Sequence, residues 1–452
     1  MVERVDAVVV GLGVGGEEVA GRLAEAGLSV VGIENRLVGG ECPYWGCVPS
    51  KMMIRAANLI AEARRIDGMA GRADVQPDWA PVARRIRDDA TDSWDDRVAV
   101  DRLTGKGARF VRGRGRLAGP GRVVVDDQDF HASRAVVIGT GTEPAIPPID
   151  GLAGTPYWTN REAIEVETLP ESLIVLGGGS IGVELAQVFA RFGVRVSVVE
   201  ALERLVAVEE PESSEVAANA LRRDGVDVRT GARAEHVRHE SGEFTLTLSD
   251  GTTHAAAAML VATGRKAALD PLGLDTVGLD PHARFVDVDE RTRAADGIWA
   301  VGDVTGRGAF THVAMYHAGI AVRDILGENG PAADYRALPR VTFTDPEIGA
   351  VGLTERQARE DGLSVQVGVA QLPESARGWI HKAGNEGFIK LVVDADRDLL
   401  VGATSAGPMG GEVLSALAVA VHGEVPVARL RHMIYAYPTF HRAIEDALRR
   451  VG

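Results

Sequence analysis

The sequence predicts an α/β chain: two doubly wound, parallel-sheet domains in series, followed by a C-terminal α+β domain. Three observations carry this reading. Twice, at residues 5–34 and 172–200, an apolar strand runs into a G-x-G-x-x-G loop, a helix, a second strand and an acid. From about residue 336 the texture changes to strand-rich segments such as EGFIKLVVDADRDLLVGATSAG, then GGEVLSALAVAVHG and a terminal helical stretch. At 452 residues the chain has the length of about three domains, taking roughly 150 residues each.

Composition narrows the function classes. Apolar residues make up 45% and charged residues 25%, the mix of a globular chain. The net charge of −15 comes without a basic block. Nucleic acid and anionic membrane are therefore not expected partners, since both need clustered Lys and Arg. No apolar run approaches the roughly 18 residues that span a bilayer. MVERVDAVVVGLG enters a strand at once, leaving no room for a signal peptide. The expected location is the cytoplasm.

The first motif begins with VDAVVV (5–10), enters Gly11-Leu12-Gly13-Val14-Gly15-Gly16 and continues as EEVAGRLAEAG and LSVVGIE, ending on Glu34. Gly11 permits the tight turn, Gly13 lets a pyrophosphate approach the backbone, and Gly16 lets helix and strand pack closely. The helix start offers N–H groups to phosphate. Glu34 can accept bonds from ribose hydroxyls. The second motif repeats the plan: SLIVL, then Gly177, Gly179 and Gly182 around a helix start, then VRVSVVE ending on Glu200. Two different dinucleotides are the simplest reading of two complete, Rossmann-like motifs. Two T-G turns follow strands, at Thr140-Gly141 and at Thr263-Gly264. GIWAVGDVTG ends a further strand on Gly302-Asp303, where an acid commonly meets a ligand's hydroxyls.

The only two cysteines, Cys42 and Cys47, lie in GGECPYWGCVPSK. In a cytosolic chain such a pair points to redox chemistry or a metal sooner than to a structural staple. Zinc needs three or four ligands, no other cysteine exists, and the first histidine is His131, so no metal is expected. A redox pair needs Cα atoms within about 7 Å. Positions i and i+5 of a straight helix stand about 8.6 Å apart. Cys42 must therefore lie off the regular helix, or the helix must be distorted; Pro43 and Gly46 suit either.

Gly39-Gly40-x-Cys42-(four residues)-Cys47-x-Pro49-Ser50-Lys51 resembles the active-site signature of the FAD-dependent pyridine nucleotide–disulfide oxidoreductases. That family includes dihydrolipoamide dehydrogenase and the glutathione, mycothione and mercuric reductases. The glycine loops, both T-G turns, VGDV and FTDPEIGAVGLTE (343–355) extend the likeness over nearly the whole chain. The resemblance implies an FAD-binding domain at 1–150 with the cysteine pair, an NAD(P)-binding domain at 151–270, a segment at 271–335 completing the FAD domain, and a dimerisation domain at 336–452. FAD would engage Gly11, Gly13, Gly16, Glu34, Gly40, Lys51, Thr140, Gly141, Gly302 and Asp303. NAD(P) would engage Gly177, Gly179, Gly182, Glu200 and Gly264. Cys47 would be the thiol against the flavin and Cys42 the outer thiol that meets substrate. Lys51 would lie near the flavin and pair with Glu184.

The terminal segment departs from the family pattern. Its catalytic His is replaced by Tyr437 and the following Glu by Arg442. A phenol, with a reference pKa near 10, is a poor base at neutral pH. Mercuric reductases also carry a tyrosine near this place, but with a C-terminal cysteine pair that this chain lacks. Tyr437, His441 and Glu445 are spaced i, i+4, i+8, so they would share a face of a helix begun by Pro438, moving a His–Glu pair along by one turn. The alternative is a solvated helix face. Tyr44 and Trp45 between the cysteines could stack a flat acceptor or pack the core.

The expectation is a homodimeric flavoprotein that passes electrons from NADH (preferred, since Glu200 repels a 2′-phosphate, though Arg204 lies near) or NADPH through FAD to a small-molecule acceptor. A disulfide substrate is favoured by the intact cysteine pair. A quinone, dye or metal ion is favoured by the missing His and Glu. A lipoamide-dehydrogenase-like subunit of a multienzyme complex is the third reading.

Overall fold

A computed structural model describes residues 2–452. The chain divides into two compact units. One takes Met1–Ser50, Ala83–Ala145 and Gly264–Asp334; the other takes Lys51–Val82, Ile146–Thr263 and Tyr335–Gly452.

The first unit is built on an eight-stranded sheet. Val2–Val10 pairs in parallel with Val30–Glu34 on one side and Gln128–Ile138 on the other. Ile298–Ala300 adds in parallel to Gln128–Ile138, so residues late in the chain complete a sheet begun at residue 2. The central strands are buried on both faces, as a parallel sheet requires. Val8, Val10 and Ile33 pack into one core, and Ala7, Val9 and Val30 into the other. Full burial of each such valine or isoleucine contributes about 1.5–3 kcal/mol. The second core also takes Val19 and Leu23 of helix Val14–Glu25 and Ala318 and Val322 of helix Thr311–Leu326.

In the second unit, strands Asp227–Arg229, Arg195–Val199, Ser172–Leu176 and Ala258–Val261 form a four-stranded parallel sheet. A three-stranded antiparallel sheet, Ala234–Ala256, lies in the same stretch of chain. Residues 339–407 form a five-stranded antiparallel sheet, covered by helices Gly410–His422 and Ala443–Arg449. Among the described residues no helix is long and apolar enough to cross a membrane.

One expected element is absent. No helix starts at Pro438: Thr439 is the N-cap, its hydroxyl accepting the Arg442 N–H at 3.2 Å. A single 3₁₀ turn, Phe440–Arg442, then leads into Ala443–Arg449. The capping hydroxyl, one residue past the proline, sets the start. Tyr437 therefore precedes the helix and shares no face of it with His441 and Glu445. Glu445 is instead paired with Arg442 and Arg449. The one-turn shift of a His–Glu pair does not occur.

Candidate active site

Both glycine loops fold alike, down to their acids. Gly13 and Gly179 are the N-caps of Val14–Glu25 and Ser180–Arg191, and neither helix has a side-chain cap. A Cβ on Gly16 would lie 2.0 Å from the Gly11 carbonyl oxygen, and one on Gly182 the same distance from that of Gly177. Both positions therefore exclude any side chain. Glu34 accepts the N–H groups of Leu12 and Arg36, both at 2.8 Å. Glu200 does the same for Gly178, at 2.6 Å, and Leu202, at 2.7 Å. Each acid thus braces its own loop, a role the sequence did not disclose. A carboxylate retains lone pairs beyond these two bonds, so ribose hydroxyls still have acceptors. An uncapped helix start behind a glycine-rich loop suits a pyrophosphate. The residues present fit two dinucleotides.

In the first unit the Gly39-Gly40 pair closes onto the first loop. Gly39 donates to the Leu12 carbonyl at 2.8 Å. At Gly40, φ is +69°, and a Cβ would lie 2.8 Å from Gly13 Cα. Gly141 also has positive φ, with nothing within 4 Å of a built Cβ. Thr140 precedes it, half-buried. Asp303 sits in the 3₁₀ turn Gly302–Thr305 and accepts from the Thr142 hydroxyl at 3.1 Å. Burial raises its carboxyl above the usual range, against the pull of Arg265. Arg265 donates to the Thr142 hydroxyl and carbonyl, and the adjoining Gly264 carbonyl accepts the Ala145 N–H. The Gly302 N–H donates to Nδ1 of His317 at 3.1 Å. Burial, with Arg307 adding to it, lowers His317 to about 4, so the ring is neutral and its Nδ1 serves as the acceptor. Sequence pattern singled out neither Thr142 nor His317, because each acts through a strand or helix remote in sequence.

The helix is interrupted between the cysteines. Glu41–Tyr44 forms one turn, Trp45 and Gly46 leave helical geometry, and Cys47–Arg64 begins afresh. Cys42 is half-buried and Cys47 exposed, and the two sulfurs are not bonded. A hydrogen bond to Cys47, then burial, pushes the Cys42 thiol well above the ordinary thiol range. Cys47 Sγ also lies 3.2 Å from the Thr311 hydroxyl, at the first turn of Thr311–Leu326. Of the two aromatic residues, Tyr44 is core, 6% exposed, while Trp45 is half-buried.

In the second unit Lys51 Nζ lies 2.8 Å from Glu184 Oε2 and 4.7 Å above the Phe343 ring. Glu184 Oε1 accepts the Phe343 N–H at 2.8 Å. The pair heads a polar seam. Asn58 accepts from Arg191, and Arg65 and Arg191 both reach Asp345. Gln187 accepts the Asp345 N–H. Lys51 and Asn58 lie seven residues apart on helix Cys47–Arg64, and Arg65 follows just past its end; Glu184, Gln187 and Arg191 share a face of another helix.

At the chain's end Tyr437 is 70% exposed, with the Arg442 guanidinium 5.5 Å from its ring centroid. His441 packs against Tyr435, centroids 5.3 Å apart. Among the described residues no cluster of His, Cys, Asp or Glu is placed to hold a metal.

Two uncapped nucleotide loops and a dithiol at a broken helix define a dinucleotide-dependent redox enzyme. The comparisons give the family. Residues 5–318 match the pyridine nucleotide-disulphide oxidoreductase family, and residues 338–448 match that family's dimerisation domain. The chain is 33% identical to a dihydrolipoyl dehydrogenase of Chlorobaculum tepidum over 98% of this chain and 96% of that one. It is 33% identical to a mercuric reductase of Shigella flexneri, over 96% and 79% respectively. Among solved structures, the HOCl-induced flavoprotein disulfide reductase RclA of Escherichia coli superposes with a TM-score of 0.86. That match has 28% identity and covers 99% of this chain and 100% of that one. RclA has also been solved as a Cu(II) complex. The chain belongs to the pyridine nucleotide–disulfide oxidoreductases, a family of FAD-dependent enzymes that use pyridine nucleotides.

Proposed function

We propose that this chain uses NADH to reduce a small disulfide through the Cys42–Cys47 pair. The observation that carries the reading is the broken helix, which leaves the Cys42 and Cys47 side chains within hydrogen-bonding reach of each other. The two sulfurs would divide the work: Cys47 would face the flavin, and Cys42 would exchange with substrate. FAD, when bound, would supply a two-electron carrier between the nicotinamide and the dithiol. Gly11, Gly13 and Gly16 would hold its pyrophosphate, Glu34 its ribose, and Gly40, Thr140, Gly141, Gly302 and Asp303 the rest of it. Lys51, paired with Glu184, would stabilise negative charge on the reduced ring. Gly177, Gly179, Gly182, Gly264 and Glu200 would receive the nicotinamide dinucleotide. Glu200 disfavours a 2′-phosphate by charge, and Arg204 is turned away onto Ser214 and the Ala207 carbonyl. Residues 336–452 would form the homodimer interface.

A second reading, reduction of a quinone or metal ion, is favoured by the segment that should hold the family's base. Tyr437 is exposed, and Arg442 is committed to Glu445. RclA, solved with Cu(II), supports the same direction. The deciding experiment is NADH-driven turnover against a panel of small disulfides, quinones and metal ions, repeated with Cys42→Ser. Disulfide reduction lost in the variant supports the first reading; quinone or metal turnover alone, insensitive to Cys42, supports the second.

A further inference from the structure

Residues 91–96 make two local sacrifices that their own segment does not repay. Asp92, Ser93 and Trp94 are three successive non-glycine residues in the left-handed region, with φ of +48°, +56° and +59°. Such residues normally occur singly, at about 1–2 kcal/mol each. Asp96 then occupies the N-cap of helix Arg97–Gly105 without capping it, although aspartate is among the best capping residues.

The return on both lies in the cysteine loop. Asp96 Oδ2 accepts the N–H of Val38, just before Gly39-Gly40, at 2.7 Å, and is itself held by Arg112. The left-handed turn aims the Trp94 indole so that its Nε1–H donates to the Tyr44 carbonyl at 3.3 Å. Tyr44 is the last residue of the helical turn that carries Cys42. Gly46 is a bend whose own carbonyl starts the next helix, accepting the Ser50 N–H at 3.0 Å, and no helical turn spans it from Tyr44 to Val48. Carbonyls at a helix end need a donor from elsewhere. The indole supplies it at the point where the helix is broken.

We propose that Trp94 is a positioning residue of the dithiol: its indole N–H on the Tyr44 carbonyl keeps the chain broken between Cys42 and Cys47, within disulfide reach. The inference rests on the dithiol reading above. Without the indole, the Tyr44 carbonyl can take the helical donor at Val48. A helix run through positions 42–47 would set the two Cα atoms about 8.6 Å apart, beyond bridging. Closing the disulfide would become harder and its reduction easier.

The test equilibrates FAD-loaded protein with mixtures of reduced and oxidised dithiothreitol and counts titratable thiols. On closure the two thiols give two protons and two electrons to oxidised dithiothreitol, forming one S–S bond. The wild type should pass from two thiols to none. Trp94→Phe keeps a ring but no N–H and should need about a tenfold higher oxidised-to-reduced ratio to close. Trp94→His, which restores a ring N–H, should recover part of that shift, a result that loss of packing alone would not give. Trp94→Leu, which also lacks the N–H, serves as the measurement should Trp94→Phe fail to fold. Closure of Trp94→Phe, or of Trp94→Leu in its place, at the wild-type ratio, in a wild type that does close, overturns the role of Trp94 and leaves the dithiol intact. A wild type with two thiols at every ratio overturns the dithiol reading itself, and this inference with it.

Discussion

Glu184 joins Lys51 to the backbone of Phe343, one carboxylate oxygen on the ammonium and the other on the N–H, both at 2.8 Å. Their position is set further along the same seam, where Asp345 takes Arg65 and Arg191 together. Burial would raise the Asp345 carboxyl, but the two guanidiniums hold it below the usual carboxylate range.

Asp345→Asn should therefore cost about 3 kcal/mol, the low end for breaking a buried pair, because Arg191 keeps Asp224 and Arg65 keeps Glu62. Urea unfolding of the variant measures it. Glu62→Gln, at a surface pair, should cost under about 1 kcal/mol.

His317 makes stability pH-dependent in a defined window. Its folded pKa of about 4 lies below its ordinary 6.5, so between those values the unfolded chain binds a proton that the folded one refuses. The stability from keeping the ring neutral is complete above about pH 6.5 and is lost as pH falls towards 4, to a total of about 3 kcal/mol. Arg307 is the charged neighbour that contributes. Unfolding midpoints at pH 7 and pH 5 should diverge in the wild type and draw together in His317→Asn, whose amide oxygen can still accept from Gly302.

NADH should exceed NADPH in kcat/KM by about tenfold or more, a difference of about 1.4 kcal/mol. Arg204→Gln should leave the ratio nearly unchanged, because the guanidinium already serves Ser214 and Ala207. Steady-state kinetics with both nucleotides checks both statements, and equal or better use of NADPH contradicts the first.

Tyr437→Phe should change disulfide turnover little, since an exposed phenol is a weak base at neutral pH. A group that did serve as general acid and base would reveal itself by a loss of about 10² to 10⁴. Tyr437→His with Arg442→Glu should raise disulfide turnover modestly. The gain is limited because the new glutamate would stand beside Glu445, which loses Arg442 and keeps only Arg449. No gain in a folded, FAD-loaded variant would locate the obstacle in the pocket and not in the missing base.

Much of the fold was legible because its glycines have one mechanical reading: Gly16 and Gly182 leave no room for a methyl group beside their loops. Helix geometry alone required a break between Cys42 and Cys47, and the interruption falls at Trp45-Gly46. Periodicity misled at Pro438, where spacing suggested a helix face but the Thr439 hydroxyl starts the helix later. Asp96 and Trp94 were invisible to sequence pattern because their partners lie 58 and 50 residues away. The pattern marks Glu34 and Glu200 as ligand acids, but their bonds to their own loops arise only where the strand end folds back beside the glycines.

The central claim, that electrons leave through the Cys42–Cys47 pair, is tested most directly by NADH-driven disulfide and dye reduction in wild type and Cys42→Ser. Loss of the outer thiol should abolish disulfide reduction, because no mixed disulfide with substrate can form, and dye reduction should persist within a few-fold. Cys47 should then remain as a thiolate against oxidised flavin, giving a long-wavelength absorption band. Disulfide turnover that survives in Cys42→Ser would contradict the account.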